Sequence, residues 1–285
     1  MNPYHQFAAD YARLAHEGRH LPLGGFPPTP RPVIAPDAPK ALLFSPHPDD
    51  ECITGALALR LLREARFNLI NVAVTQGSNP ARQAARWTEL KNACDFLGFG
   101  LVQTAPNGLE RVSVKTRSAA PGEWRVKVER IAELLEAHRP RVIVLPHVRD
   151  WNSTHIGTHY LVADALAELG PTFDCFTIET EFWGQMDDPN LVVESSVADV
   201  ADLIAAVSFH VGEAQRNPYH ILLPAQMQDN VRRGAELVGG QGQAAPDFVF
   251  TTLYRLRRWR LGRWERAYEG GRQLGIDQSP ATLFV

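Results

Sequence analysis

Cysteine is scarce and poorly placed for cross-links. The 285 residues hold three, Cys52, Cys94 and Cys175, with no CxxC pair. An odd, scattered set supports neither a disulfide framework nor a cysteine-built zinc site. Also missing is an uninterrupted apolar run of roughly 18 residues, the length a membrane span requires. The N-terminal stretch lacks the pattern of a secretory signal, so the sequence reads by default as a cytoplasmic protein with no membrane span. Charge of one sign is missing too. Twenty-nine basic residues against 32 acidic ones leave a net charge of −3 and a pI near 6.4. That balance calls for neither nucleic acid nor an anionic membrane as partner. No internal repeat is visible. What is present is a 45% hydrophobic chain, ample for one large α/β domain or two small ones.

The apolar pattern alternates between short buried runs and helical periodicity. Residues 1–39 read as an N-terminal arm, with a short helix near 5–16 and then a proline-rich extended stretch. From residue 40 onward the pattern predicts strands at 41–45, 69–75, 100–104, 142–145 and 173–182. Helices are predicted between them at about 51–65, 81–97, 123–138 and 154–168. Strands separated by helices imply right-handed βαβ units, so the expected fold is α/β. We expect a Rossmann-like three-layer sandwich on a mostly parallel sheet. Beyond residue 184 the pattern is less regular, with helices near 197–214 and 224–238 and a hairpin at 247–267. Residues 40–285 are read as one domain, with a core at 40–215 and a C-terminal helical and hairpin extension at 216–285.

One segment outweighs the rest. Ser45-Pro46-His47-Pro48-Asp49-Asp50-Glu51 lies between the apolar run Ala41–Phe44 and a helical pattern. That places one His and three carboxylates in the turn at the carboxyl end of a buried strand, where open α/β sheets put their ligands. Adjacent carboxylates repel one another. A cation removes that cost, and the His adds a nitrogen ligand. The competing reading is an acidic turn that complements a helix dipole, with Pro48 setting the turn. It accounts for one or two acids but not for the His and all three.

A second segment, Pro146-His147-Val148-Arg149-Asp150-Trp151-Asn152-Ser153-Thr154-His155, holds the same position after the strand at 142–145. Ser153 or Thr154 is the expected N-cap, which puts His155 in the first helical turn. His155 and His159 stand four apart on one helix face. Such a pair can bind zinc, or it can supply one ligand and one neighbour. His47, Asp50 and His155 together make two nitrogens and a carboxylate with positions left open for water, a catalytic rather than a structural arrangement.

These motifs resemble those of the PIG-L/LmbE-like family of zinc-dependent N-acetylglucosaminyl deacetylases. Its (A/S)HPDDE motif is matched by residues 45–51 apart from the extra Pro46, and its D-x-H-P-D-H motif aligns with 150–155. The resemblance implies Zn2+ held by His47, Asp50 and His155, with Asp49 as general base. It implies removal of an acetyl group from an N-acetylglucosamine-type sugar conjugate. Asn152 stands where the family has a His. Asn can donate a hydrogen bond to an oxyanion but cannot act as an acid. Proton delivery to the leaving amine then falls to His159, to His147, or to Asp49 after it has collected the water proton. An Arg86…Glu89-Leu90…Gly98 pattern, the Ala105–Gly108 turn and the segment 208–215 resemble weaker family features. They imply substrate contacts from Arg86, Asn107 and His210. A metal-dependent amidohydrolase acting on a non-sugar amine, and a catalytically impaired sugar- or metal-binding protein, are the alternatives. The resemblance covers about residues 40–215. Association with further copies of the chain is compatible with all of these readings.

The one basic run, Arg255 to Arg266, interleaves six Arg with Trp259 and Trp264. Such runs can bind single-stranded nucleic acid, but the alternation with apolar residues reads better as a hairpin with a solvated Arg face. Trp151 and Trp183 fall near strand ends, where they could stack on a sugar ring or pack in the core.

Overall fold

The structure is a computed structural model that describes residues 2–285. Its spine is a nine-stranded sheet. The strands are β1 (Lys40–Ser45), β2 (Asn68–Ala73), β3 (Gly100–Gln103), β4 (Val142–Pro146), β5 (Cys175–Thr180), β6 (Leu191–Glu194), β7 (Thr251–Arg260), β8 (Arg263–Arg266) and β9 (Arg272–Leu274). The helices are α1 (Tyr4–Gly18), α2 (Leu57–Arg63), α3 (Pro80–Leu97), α4 (Val114–Ala119), α5 (Pro121–His138), α6 (Ser153–Leu169), α7 (Val197–Ser208), α8 (Val211–Arg216) and α9 (Tyr219–Leu237).

The strand order is β3-β2-β1-β4-β5-β7-β6-β9, with β8 paired to β7. Strands β3, β2, β1, β4 and β5 are mutually parallel, while β7 runs antiparallel to both β5 and β6. The α/β expectation therefore holds. Strand β1 is flanked by β2 on one side and β4 on the other, so the chain reverses its winding direction between β1 and β4. That is the switch point at which doubly wound sheets form a crevice at the strand carboxyl ends.

Side chains alternate across β1 as the pleat requires. Ala41 and Leu43 join the apolar layer that contains Leu57, Leu61, Leu90 and Leu203. Leu42 and Phe44 join the opposite layer with Ile131, Leu135 and Leu161. Both faces of the central strands are thus covered, which explains why they read as continuous apolar runs.

Several boundaries differ from the sequence expectation. The helix expected over 51–65 is broken: Asp50–Cys52 form one 3-10 turn, and α2 starts only at Leu57. The break is at Gly55, whose φ is +78°. A Cβ there would lie 2.1 Å from Thr252 Oγ1 and 2.6 Å from Tyr254 Oη, so β7 presses directly on this loop. The helix expected at 197–214 is divided into α7 and α8 at Phe209–His210, and α9 begins at Tyr219 rather than 224. Strands β6 and β9 and helix α4 were not anticipated. The first two have only four and three residues, and α4 has six.

Candidate metal centre

The loops after β1 and β4 meet at the switch point. Nδ1 of His47 lies 3.2 Å from Nε2 of His155 and 3.4 Å from Oδ2 of Asp50, and that oxygen lies 3.2 Å from His155 Nε2. Two imidazole nitrogens facing each other beside a carboxylate can share few protons. Asp50 Oδ1 is buried with no hydrogen-bond partner among the described residues. A lone-pair cluster with an orphaned buried oxygen fits a cation better than any set of protons does. Burial alone would raise the Asp50 carboxyl, but His155 and His47 hold it well below the usual carboxylate range. His155 shows the converse. Burial disfavours its charge, yet Asp50 and Asp150 push it up to about 10.

Asp150 organises the second loop. Its Oδ1 accepts from Asn152 N at 2.8 Å and faces His155 Nδ1 at 3.5 Å. Its Oδ2 accepts from Trp183 N and Gly184 N at 3.1 and 3.3 Å. A carboxylate behind the far ring nitrogen of a ligating His fixes its tautomer and orientation. Asn152, not Ser153 or Thr154, caps α6: its Oδ1 accepts from Thr154 N at 2.8 Å. With Oδ1 committed, Nδ2 is the donor left over, and Asn152 lines a cleft of about 900 Å3 together with His47, Thr75, Gln83, Arg111 and Lys115.

Asp49 stands beside the candidate cluster of His47, Asp50 and His155. Burial and the Asp50 charge push its carboxyl up to about 7. Oδ2 accepts from Tyr219 Oη at 2.9 Å and lies 3.7 Å from Arg86 Nη2. The backbone of Asp49 has φ +114° and ψ −29°. The other five non-glycine residues at positive φ lie between 45° and 64°, within the left-handed helical region, so Asp49 alone of the described residues is outside it.

Other expected site residues divide. Arg86 donates to Pro48 O at 2.7 Å and faces Asp49, rather than pairing with Glu89 or Glu64. His210, expected to contact substrate, is instead fully buried, with Nε2 2.7 Å from Glu51 Oε1. His159, expected to deliver a proton, is turned to Pro146 O at 2.9 Å, to Glu179 at 3.4 Å and to a stacked Trp264; none of its contacts is with the three ligands. Burial, only partly offset by Glu179, lowers its pKa. His147 is likewise engaged, with Nε2 2.9 Å from Gly184 O. Asn107 is an exposed turn residue at φ +64° and does not line the cleft.

Tyr219 escaped the sequence reading of the site; it lies against Trp183, which that reading did mark. The two rings meet edge-on at 5.7 Å, and Trp183 is 38% and Trp151 80% exposed, so neither Trp is a core residue. The basic run does form a hairpin, but its arginines are paired. Arg255 and Arg257 converge on the buried Glu179, and Arg258 and Arg260 on Asp174. Arg263 meets Glu265 and Arg266 meets Glu269. Arg255 and Arg257 are therefore part of the packing between β5 and β7 and not a solvated face.

The sequence profile described as GlcNAc-PI de-N-acetylase (PIG-L) matches residues 42–166, which include both strand-end loops. That segment is similar to a PIG-L domain. A search of curated proteins found no significant match. Among solved structures, an N,N'-diacetylchitobiose deacetylase from Pyrococcus horikoshii superposes with a TM-score of 0.56 at 16% identity, over 90% of this chain and 93% of that one. A 4-carboxy-2-hydroxymuconate hydratase from Pseudomonas putida gives 0.55 at 15% identity, over 76% and 95%. A conserved protein from Thermus thermophilus gives 0.54 at 17% identity, over 76% and 93%. At these identities the likenesses establish the fold, and this fold carries both a deacetylase and a hydratase. Fold alone does not fix the chemistry, which depends on the site.

Proposed function

We propose that the protein is a zinc-dependent hydrolase that removes the acetyl group from an N-acetylated amino sugar of the N-acetylglucosamine type. The observation that carries this reading is the convergence of His47, Asp50 and His155 beside a buried, tyrosine-bound Asp49 within a segment similar to a PIG-L domain. His47, Asp50 and His155 would hold the cation, which would supply Lewis acidity toward the acyl oxygen and water.

Asp49 takes a proton from the attacking water. A carboxyl poised near 7 can hold that proton and return it to the departing amine, so one residue serves as base and then as acid. His159 is unsuited to this step because its ring is committed to Pro146 and Trp264. Asn152 Nδ2 supplies a donor to the oxygen that gains charge. Arg86, held on Pro48 O, keeps a positive charge against Asp49. Trp151 and Trp183 offer ring faces at the rim, suited to a substrate that carries a sugar ring.

The test is amine release from a panel of N-acetylated sugars and simple acetamides by zinc-loaded protein, with Asp49→Asn as control. Sugar turnover by the parent and not by the variant is expected. Turnover of simple amides alone would keep the hydrolase and discard the sugar. No turnover despite bound zinc would overturn the catalytic reading in favour of a binding protein.

A further inference from the structure

Asp49 occupies a backbone conformation that a residue with a side chain adopts only under constraint. Something must hold it there. Its N–H donates to Glu51 Oε2 at 2.9 Å. The other oxygen of Glu51 receives two contacts, His210 Nε2 at 2.7 Å and Cys52 Sγ at 3.1 Å. Glu51, Cys52 and His210 are all fully buried. His210 sits at the junction of α7 and α8, and its own N–H is fixed on Val207 O at 3.0 Å. A chain of hydrogen bonds therefore runs from the α7–α8 junction through His210 and Glu51 to the Asp49 peptide.

We infer that Glu51 and His210 are positioning residues that hold Asp49 in its strained conformation and so aim its carboxylate at the reacting centre. The inference rests on the reading of Asp49 as the base. The geometry explains why a third acid follows the pair Asp49-Asp50: Glu51 is fully buried, and its two oxygens meet the Asp49 N–H, the Cys52 thiol and the His210 ring. It also explains why His210 is fully buried against a carboxylate. Without His210, Glu51 keeps only the weak Cys52 thiol contact opposite the Asp49 N–H. The Asp49 peptide can then relax to negative φ, which moves the carboxylate away from its place between Tyr219 and Arg86. Misplacement of a catalytic group by an ångström can cost on the order of 100-fold in rate.

Two readouts test the clamp. In zinc-loaded His210→Leu, kcat should fall about 10- to 100-fold while KM and zinc affinity stay within about two-fold. His210→Gln, which can still donate to Glu51, should recover most of the rate. A merely structural role would lower melting temperature and zinc loading in both variants without this split. The second readout needs no activity. Position 49 at φ +114° favours glycine, so Asp49→Gly should melt about 2–4 °C above Asp49→Ala. In the His210→Leu background that gap should close, because the peptide is no longer pinned. Should His210→Leu fail to fold, Glu51→Gln takes its place with the same expected directions. An unchanged kcat in His210→Leu, or an equal glycine–alanine gap in both backgrounds, would overturn the clamp. If the parent turns nothing over but the gap still closes, the catalytic reading fails and the clamp stands.

Discussion

Asn152 carries two separable duties, and three substitutions separate them. Its Oδ1 caps α6 through Thr154 N at 2.8 Å, and its Nδ2 is the donor the oxyanion would use. Alanine removes both. Loss of an N-cap of this kind costs about 1 kcal/mol. In a chain of this size that lowers the melting temperature by roughly 2–4 °C. Loss of one oxyanion donor lowers kcat by about 100- to 1000-fold. Aspartate keeps the acceptor and adds a charge that suits a helix N-terminus, so Asn152→Asp should melt at or above the parent. It removes the donor, so kcat should fall as far as in Asn152→Ala. Serine keeps the cap and offers a shorter donor, and should fall between.

The assay is a melting curve and initial rates for each variant on one zinc-loaded preparation. Turnover by Asn152→Asp within a few-fold of the parent would refute the oxyanion role. A melting temperature for Asn152→Asp as low as that of Asn152→Ala would refute the cap. Because the two quantities move in different variants, neither result can be traded for the other.

Zinc binding should release a proton. In the metal-free protein Asp50 and Asp150, against the penalty of burial, push His155 from 6.5 to about 10, so binding must displace that proton at any pH below about 10. Affinity should tighten about tenfold per pH unit there, and titrations in buffers of different ionisation enthalpy should report one proton; none released would refute the protonated triad. The same raised pKa stabilises the metal-free fold fully below 6.5, a contribution lost as pH rises through about 10. Arg233 and Glu181 form a buried bidentate pair at 2.7 and 2.8 Å, and Arg233→Met should cost about 3–5 kcal/mol, or roughly 10 °C in melting temperature. A fall under about 2 °C would mean that Glu181 finds other partners. Trp151→Ala should leave melting unchanged, because the ring is 80% exposed, and should raise KM for a sugar substrate about three- to ten-fold at constant kcat. An unchanged KM would remove Trp151 from the substrate rim.

The parallel half of the sheet was legible because each strand is covered on both faces and reads as an unbroken apolar run. Val142–Leu145 and Ala41–Phe44 are examples, and every residue in both is buried. The C-terminal edge was less legible for a matching reason. Strand β6 has four residues and β9 three, too few to show a period, and both owe their place to pairing with β7 or with each other. The false continuation of the helix at 51–56 has a similar origin. Its apolar spacing is genuine, but Tyr254 Oη bonds Thr54 O at 2.5 Å and forces Gly55 to turn, a constraint that arrives from 200 residues away.

The candidate site divides along the same line. The candidate ligand set is local in the sense that matters: His47 and Asp50 fall two and five residues past the end of β1, His155 nine past the end of β4, and β1 and β4 are direct neighbours. Strand, turn and helix patterns are enough to bring His47, Asp50 and His155 together, and the charge cost of three adjacent acids marks the spot. What surrounds Asp49 is not local. Tyr219 reaches it across 170 positions, and His210 reaches Glu51 across 159. No spacing rule connects such residues, and an isolated His or Tyr in a helical stretch carries no mark of its partner. The sequence therefore points to a substrate contact for His210, whereas in the structure it meets Glu51, which accepts from the Asp49 N–H. The metal side of the site follows from sequence neighbourhood, whereas the conformation of Asp49 depends on how α7, α8 and α9 pack back onto the first strand. Substitutions in those helices should therefore alter turnover without touching a ligand.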